Sequence, residues 1–248
     1  MKKLFVSLFC IPLLFSCEEK FFAFEYGTIN NKIQQIDQIL LDGNLSKKFI
    51  YDDQNRISQI INFHEGSRDT IFFSYNRENL VSEIKYYQIY VTQFTYDNRK
   101  LVESLNLNTN NPEWNSKTKY HYYGNRIDFA DKFHNEKLTG KIVFGYDKKG
   151  NTMSRIEYSL DKSVNLEEYH YSYDDKQNPY ADFPNIPMDI IQSNNPVKSF
   201  HYSLVMSSLP TEYGFSYLYD EHGFPISAKK FIVDKPTKIL NTYTYIYR

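Results

Sequence analysis

Hydrophobic and polar residues alternate along most of the chain beyond residue 30. Ile71, Phe73 and Tyr75 occupy every second position of one segment, and Lys117 and Lys119 take alternate positions of another. A period of two is typical of strands with one buried and one solvated face. The same alternation assigns common faces to Ile57, Gln59, Ile61 and Phe63, to residues 92–96 and 142–146, and to the tyrosines of 213–219 and 243–247. The pattern predicts an antiparallel sheet with an aromatic inner face.

A polar turn recurs between these segments. Its first copy is Tyr51-Asp52-Asp53-Gln54-Asn55-Arg56-Ile57, and related turns follow the tyrosines at positions 75, 96, 123, 146, 173 and 219. Asp and Asn bond to their own backbone and tolerate positive φ, so they favour tight hairpin turns. The first five intervals between these tyrosines are 24, 21, 27, 23 and 27 residues, and each holds one hairpin. The prediction is an all-β antiparallel meander of about 14–16 strands, built from repeated hairpins and rolled into a barrel or half-barrel.

Two regions depart from this pattern. Ile33, Ile36 and Ile39 have helical spacing, but Asp42-Gly43 follows them, so a strand and hairpin are favoured over a helix. The last interval is 46 residues long and contains four prolines within residues 178–198. Because proline cannot donate a ladder hydrogen bond, these residues are predicted not to form a central strand. We expect one short loop or helix insertion there, packed over one end or edge of the sheet.

Composition and charge restrict the possible partners. Aromatic residues make up 17% of the chain, including 23 tyrosines, and such residues favour a pleated surface. Loss of Lys2 and Lys3 with a signal peptide would leave 27 basic residues against 30 acidic ones, a net charge of −3. That balance, without a basic stripe, argues against nucleic acid as a partner. Both cysteines, Cys10 and Cys17, precede the predicted domain, which therefore has no disulfide and no thiolate metal site.

The N-terminal segment has the features of a signal peptide. Lys2 and Lys3 precede an apolar run of roughly a dozen residues, too short for a bilayer-spanning helix. Leu14-Phe15-Ser16-Cys17 resembles a bacterial lipoprotein cleavage box, although Phe15 is bulky for its position. The resemblance implies that residues 1–16 are removed and that Cys17 is acylated and anchors the chain in a membrane. An ordinary secretory signal cut elsewhere is the alternative.

The residues after Cys17 suggest where in the cell envelope the protein is located. Glu18-Glu19-Lys20 resembles the surface-export signal of Bacteroidota lipoproteins. The expected organisation is a signal peptide of residues 1–16, a lipidated tether of residues 17–30, and a single β domain of residues 31–248. The expected location is the outer membrane, with surface display in the outer leaflet as the more specific alternative.

The repeated turn also supports a family resemblance. The pattern Tyr-Asp-x-x-(Gly/Asn)-x-(Leu/Ile) resembles the YD repeat of the Rhs and teneurin families. It is more similar to that of Bacteroidota lipoproteins with a porin-like-fold domain of unknown function, and Asn178-Pro179-Tyr180 after a repeat is also similar to that group. The resemblance covers about residues 30–248. It implies a repeated-hairpin fold and supplies no activity or catalytic residue.

Few residues suggest chemistry. The six histidines form no HExxH motif, no serine lies in a Gly-x-Ser-x-Gly elbow, and the nine glycines form no phosphate loop. The carboxylate pairs Asp52-Asp53, Glu167-Glu168 and Asp174-Asp175 lack the spacing of a calcium loop and are interpreted as turn caps. We predict no catalytic residue, metal or cofactor. Trp114, the single tryptophan, is a candidate for stacking on a sugar, and the alternative is that it covers the rim of the core.

The sequence therefore favours an envelope lipoprotein that acts as a binding or interaction module. Its partner would be a glycan, a peptide or another envelope protein. The alternatives are a structural scaffold without a ligand, an envelope hydrolase, and a barrel embedded in lipid. The last requires strands of about 9–11 residues with an apolar outer band, whereas many segments here are predicted to be near seven residues long.

Overall fold

The described residues fold into sixteen antiparallel strands. The computed structural model describes residues 34–87, 89–160, 164–180, 193–204 and 208–248, with residues 208 and 209 described by their backbone alone. The strands are β1 (Ile36–Leu41), β2 (Asn44–Tyr51), β3 (Ile57–His64), β4 (Ser67–Tyr75), β5 (Val81–Tyr86), β6 (Tyr90–Asp97), β7 (Lys100–Asn108), β8 (Ser116–Tyr123), β9 (Arg126–His134), β10 (Lys137–Tyr146), β11 (Thr152–Ser159), β12 (Asn165–Gln177), β13 (Asn194–Ser203), β14 (Ser208–Tyr219), β15 (Pro225–Ile232) and β16 (Lys235–Tyr247).

Each strand pairs with its sequence neighbours, and the sheet closes on itself. The first strand pairs with the last, with Ile39 opposite Tyr245 and Leu41 opposite Tyr243. Closure removes both sheet edges, which would otherwise expose unpaired backbone groups. Residues Gln34–Arg248 form one compact unit. The predicted all-β meander is confirmed, and it forms a closed barrel of sixteen strands.

The recurrent turn is held by its first acidic or amide side chain. Asp52 Oδ1 accepts hydrogen bonds from the backbone N–H groups of Gln54 at 3.0 Å and Arg56 at 2.9 Å. The N–H of Asp52 donates to the carbonyl oxygen of Arg56 at 2.8 Å, and Asn55 adopts a φ of 60°. The same backbone bond closes the turns that begin at Asn76, Asp147 and Asp220. These turns lie at one end of the barrel, which we call the turn end; the opposite end is the loop end.

A β-bulge follows most of these turns and changes the alternation predicted from the sequence. Tyr51 pairs with Ile57, but Phe49 pairs with Ile60, so Ile57 and Ile60 both face the interior. They are 5% and 8% exposed. The common face predicted for Ile57, Gln59, Ile61 and Phe63 is therefore wrong for Ile57, because one extra residue in the bulge inverts the side-chain phase and leaves the other three on the opposite face. The same shift places Ile36 and Ile39 inside β1, which explains their helical spacing and confirms the predicted strand.

A ring of tyrosine hydroxyls joins neighbouring hairpins at the turn end. Tyr75 donates a hydrogen bond to the carbonyl oxygen of Ile57 at 2.7 Å, and Tyr96 donates to that of Val81 at 2.8 Å. Among the described residues eight such bonds surround the barrel, and the donors are Tyr51, Tyr75, Tyr96, Tyr122, Tyr146, Tyr173, Tyr217 and Tyr247. In two repeats the donor is Tyr122 or Tyr217, not the motif tyrosine at 123 or 219.

The interior next to this ring is dry. Phe49, Ile84, Val81 and Ala130 face inward and are no more than 2% exposed. Inward side chains of a water-filled barrel would be solvated, whereas these pack into two apolar clusters. Sixteen strands can enclose an aqueous channel, but this section of the described barrel is filled by side chains.

The predicted insertion is shorter than 178–198. Asn194–Ser203 form the central strand β13, so the prediction that prolines exclude a strand there is wrong for Pro196. Pro196 lies opposite Tyr173 at a register shift, where its missing N–H is tolerated. Residues 181–192 lie outside the described part of the chain. Tyr180, which opens the insertion, packs against the cluster containing Phe49, with ring centroids 6.4 Å apart.

The outer wall carries ion pairs and polar contacts along its height. Lys85 lies 3.0 Å from Glu83, and His121 Nε2 lies 2.8 Å from Asp131. Comparable contacts join Lys48 to Asp37, His170 to Glu168 and Lys198 to Glu212. Exposed apolar residues such as Phe72 and Leu218 are scattered among them. No helix among the described residues has the length and apolarity needed to cross a membrane.

Candidate ligand site in the barrel interior

The interior changes character towards the loop end. A cavity of about 90 Å³ lies between the inward faces of β7 to β11, and Asn106, Ser116, Thr118, Tyr120, Lys132, Ile142, Phe144 and Arg155 line it. Ser116 is the first residue of β8, so the cavity extends from the middle of the barrel to the loop end. A polar cavity of this size accommodates several water molecules or the end group of a ligand.

Arg155 is the most distinctive group in the cavity. Its side chain is 12% exposed, and its nearest carboxylate oxygens belong to Glu157 at 3.6 Å and Glu167 at 3.5 Å. Both distances exceed ordinary hydrogen-bond lengths. The guanidinium also lies 5.4 Å from the ring centre of Tyr169. The charge of Arg155 is thus compensated, while its five N–H donors make no ordinary hydrogen bond to another described residue.

A second cation, Lys132, lies on β9, which is separated from the strand of Arg155 by β10. Lys132 Nζ contacts Glu157 Oε1 at 2.5 Å, and Glu157 is 7% exposed. Arg155, Lys132, Glu157 and Glu167 thus form a partly buried group of two positive and two negative charges, in which Arg155 and Glu157 are the least exposed. Because buried charges are costly without partners, each of these residues depends on the others.

Neutral polar groups complete the lining. Thr92 Oγ1 donates to Asn106 Oδ1 at 2.8 Å, and Asn106 Nδ2 donates to Ser116 Oγ at 3.4 Å. Deeper in the barrel the hydroxyls of Ser104 and Tyr120 share a hydrogen bond of 3.0 Å. Burial raises the pKa of Tyr120, so its hydroxyl stays protonated at neutral pH.

Two buried polar atoms at this end of the barrel have no hydrogen-bond partner among the described residues. They are Nδ2 of Asn108 and Nε2 of His201. Asn108 ends β7 beside the cavity wall, and the ring of His201 stacks on Tyr169 at 4.3 Å. Buried polar groups are normally satisfied, so such atoms indicate sites for water or a ligand.

Trp114 lies in the loop that leads into β8, a strand that lines the cavity. It ends a 3₁₀ turn, Pro112–Trp114, in the loop between β7 and β8, and its side chain is 61% exposed. The loop is fixed by Asn108, whose Oδ1 accepts backbone hydrogen bonds from Asn110 and Asn111, and by Asn115, whose Oδ1 accepts one from Asn108. The exposed indole is held on a rigid loop two residues before Ser116.

The other predicted site residues are distributed as follows. Cys17 lies outside the described residues. Asp52 caps its turn as predicted, but Glu167 and Glu168 lie within β12, facing the interior and the outer wall respectively, so they are not turn caps. The described residues contain no cluster of three or more His, Cys, Asp and Glu side chains placed to hold a metal ion.

The sequence interpretation missed Arg155, Lys132 and Asn106. The available signal was the run Thr152-x-x-Arg155-x-Glu157, in which polar residues fall on interior positions. That signal is visible only when the bulge after Thr152 is taken into account, because it inverts the phase of β11.

Comparison with known proteins supports the fold. No protein-family model matches the sequence, and no curated protein matches it. A porin-like protein from Bacteroides uniformis ATCC 8492 superposes with a TM-score of 0.54 at 9% identity, covering 87% of this chain and 94% of that one. A porin-like protein from Bacteroides vulgatus ATCC 8482 gives a TM-score of 0.46 at 12% identity, covering 87% of this chain and 99% of that one.

A third comparison is weaker. The TcdB2-TccC3-Cdc42 structure gives a TM-score of 0.33 at 13% identity, covering 80% of this chain and 9% of that one. Of these three structures, the one from B. uniformis alone exceeds a TM-score of 0.5, and at 9% identity it supports the barrel fold alone. The predicted similarity to porin-like folds is confirmed at that level.

Proposed function

We propose that this chain is a lipid-anchored, water-exposed barrel of the cell envelope that binds a ligand through its loop end. The observation that carries the proposal is the polarity of the interior. The turn-end section of β2 to β10 is apolar and packed, whereas the loop end holds a cavity with a guanidinium, 12% exposed, that makes no ordinary hydrogen bond to another described residue. This is the arrangement of a blind binding site, apolar at its base with a few convergent polar groups. No catalytic step is part of the proposal.

The outer wall supports a barrel that stands in water. Charged groups such as Lys85 and Glu83 lie on the outward face near the middle of their strand. In a lipid-embedded barrel, a charged lysine at the midplane costs about 2–4 kcal/mol, and the outward face is an apolar band. The anchor at Cys17 and the location at the outer membrane are inferred from the sequence, and they would place the barrel beside the bilayer.

The alternative is a diffusion channel, which the description of the B. uniformis neighbour as porin-like suggests. The packed layer of Phe49, Val81, Ile84 and Ala130 argues against continuous water in that section of the barrel. A scaffold without a ligand is a further alternative, but it gives no role to the cavity around Arg155.

The test uses the chain lacking residues 1–17, because all described strands lie beyond residue 35. We expect it to be monodisperse without detergent, to show no conductance in planar bilayers, and to be retained by at least one component of a glycan array or a purified envelope fraction. A requirement for detergent together with stepwise conductance would establish the channel. Detergent-free behaviour without retention on either surface would favour the scaffold.

Anchoring is tested separately with the full-length chain. Metabolic labelling with a palmitate analogue should mark the wild-type protein, and Cys17→Ser should remove the label and release the protein from membranes. Cys10→Ser is the matched control, because Cys10 lies within the predicted signal peptide. Unchanged labelling of the Cys17→Ser variant would refute the anchor without affecting the binding proposal.

A further inference from the structure

We propose that the loop-end cavity receives the hydroxyl-bearing edge of the terminal ring of a neutral, hydroxyl-rich ligand, in chemical terms the end of a glycan, with Arg155 as its main hydrogen-bond donor. This inference rests on the proposed binding function and adds a ligand class and the residues that select it. Four features carry it: the charge balance, the donor geometry, the apolar wall and the position of the entrance.

The charge balance favours a neutral ligand. Arg155 lies 3.6 Å from Glu157 and 3.5 Å from Glu167, and Lys132 contacts Glu157 at 2.5 Å. Because these two cations and two anions already compensate one another, an anionic ligand would meet the carboxylates unpaired. A cationic ligand would likewise be repelled by the positive charges of Arg155 and Lys132. Hydroxyl groups add no net charge and therefore avoid both costs.

The donor geometry suits neighbouring hydroxyls. A guanidinium presents parallel N–H donors in a planar fork, which can bond two oxygen atoms together. The fork of Arg155 is oriented by the ring of Tyr169 at 5.4 Å and by two carboxylates, without ordinary hydrogen bonds to them. The hydroxyl of Ser116 and the amide of Asn106 offer further partners on the opposite part of the lining.

One wall of the cavity is apolar. Phe144 and Ile142 line it on β10 and are 9% and 4% exposed, and the ring of Tyr120 lies on β8. A sugar ring has hydroxyls at its edge and C–H groups on its faces. The cavity presents the corresponding arrangement of a few polar groups beside an aromatic and aliphatic surface, which is typical of sites that orient a small ligand.

The entrance provides a second aromatic surface. Trp114 is 61% exposed and lies two residues before Ser116, which lines the cavity. Asn108 ends β7, and its buried Nδ2 has no hydrogen-bond partner among the described residues. Because Trp114 is two residues from the lining residue Ser116, the inference assigns its exposed indole to the next ring of the ligand chain, where stacking would add to binding.

The experiment measures binding of defined sugars to the chain lacking residues 1–17. Glucose, galactose, mannose and N-acetylglucosamine are tested with the corresponding linear trisaccharides, and glucuronate and inorganic phosphate serve as charged probes. Ligand-observed NMR detects binding, and calorimetry gives the dissociation constant. We expect at least one neutral sugar to bind, and its trisaccharide to bind more tightly.

Three variants connect binding to the site. Arg155→Lys keeps the positive charge between Glu157 and Glu167 but removes the planar fork, so it should weaken binding by at least about tenfold. Arg68→Lys, on the exposed outer wall of β4, is the matched control and should bind like the wild type. Trp114→Ala should weaken the trisaccharide and leave the monosaccharide unchanged.

The outcomes separate this inference from the proposed function. Binding of glucuronate or phosphate in preference to neutral sugars would overturn the ligand class while leaving a binding protein. Sugar binding that survives both Arg155→Lys and Ser116→Phe, which fills the entrance, would place the ligand elsewhere. If Arg155→Lys fails to fold, as judged by circular dichroism, Ser116→Phe decides alone. Absence of binding to any sugar, glycan array or envelope fraction would overturn both proposals.

Discussion

The backbone N–H of Arg248 donates a hydrogen bond to the carbonyl oxygen of Gln35 at 2.9 Å. It is equivalent to the bond from the Asp52 N–H to the Arg56 carbonyl oxygen, which closes the recurrent turn. Here the two residues lie at opposite ends of the barrel domain in sequence. The Arg248 side chain also donates to Gln35 Oε1 at 2.6 Å and lies over the ring of Tyr51 at 4.1 Å. The junction between β16 and β1 therefore reproduces the recurrent turn with its connecting residues missing.

A circular permutant tests this equivalence. Joining Arg248 to Gln35 through Asp-Gln-Asn restores a five-residue turn like that of residues 52–56, and new ends are placed between Lys148 and Lys149. We expect the permutant to fold with a free energy of unfolding within about 1 kcal/mol of the unpermuted domain, because one open turn replaces another. Urea unfolding followed by circular dichroism measures it. A permutant that remains unfolded would show that the two junctions are not equivalent.

The tyrosine ring should contribute to stability one bond at a time. Tyr96→Phe removes a hydroxyl that bonds to the Val81 carbonyl oxygen at 2.8 Å and leaves that acceptor unpaired. We expect a loss of about 1–2 kcal/mol in the free energy of unfolding. Tyr247→Phe removes a hydroxyl on a distant part of the ring. In the double variant, the losses in free energy of unfolding caused by Tyr96→Phe and Tyr247→Phe should therefore be additive. Tyr123→Phe is the control, since Tyr123 is 85% exposed and should change stability by less than about 0.5 kcal/mol.

The same ring predicts alkaline unfolding. Burial raises the pKa of Tyr75, Tyr96, Tyr122 and Tyr146 to about 12. Tyrosine in an unfolded chain ionises near pH 10. Because the folded pKa is the higher one, this stabilisation is complete below about pH 10 and is lost as the pH rises towards about 12. Tyrosinate absorbance and circular dichroism should therefore change together over this range. Ionisation of these tyrosines in a barrel with unchanged circular dichroism would contradict the prediction.

Gly140 should tolerate no side chain. A methyl group there would lie 2.7 Å from the carbonyl oxygen of Tyr158 on the paired strand, which cannot move without breaking the ladder. We expect Gly140→Ala to cost about 1–3 kcal/mol in the free energy of unfolding. Gly145→Ala is the matched comparison on the same strand, because its added methyl group meets the rotatable hydroxyl of Ser154. Equal losses in the two variants would show that backbone rigidity does not decide the outcome.

The sequence predicts the parts of the fold that depend on local chemistry. Asp52 and Asn55 define a turn through side-chain bonding and positive φ, and their recurrence gives the hairpin meander. The bulges are not predicted, because the extra residue depends on pairing with a strand that the local sequence does not reveal. The interior positions of Ile60 and Arg155 follow from those bulges, which is why both were misassigned or missed.

Long-range packing accounts for the rest of the candidate site. The sequence singles out Trp114 as a candidate for stacking on a sugar and leaves open whether it covers the rim of the core instead. Tyr180 reaches the cluster around Phe49, on a strand more than one hundred residues earlier in the chain, and no local pattern indicates that contact. Arg155 and Lys132 lie on β11 and β9, on either side of β10, and they line the same cavity only because the bulge in β11 turns Arg155 inward.

The ring of tyrosine hydroxyls has a consequence for how such barrels can change in size. Each hairpin supplies one donor to the hairpin before it and one carbonyl acceptor to the hairpin after it, as Tyr75 does with Ile57 and Tyr96 with Val81. An inserted hairpin therefore brings both halves of the bonds that it needs, and a deleted one removes both. Tandem duplication of a segment of 21–27 residues would widen the barrel by two strands without leaving an unmatched edge. The circumference of such a barrel is thus set by a whole number of hairpin repeats. Evolution can change it by duplicating or deleting one repeat at a time.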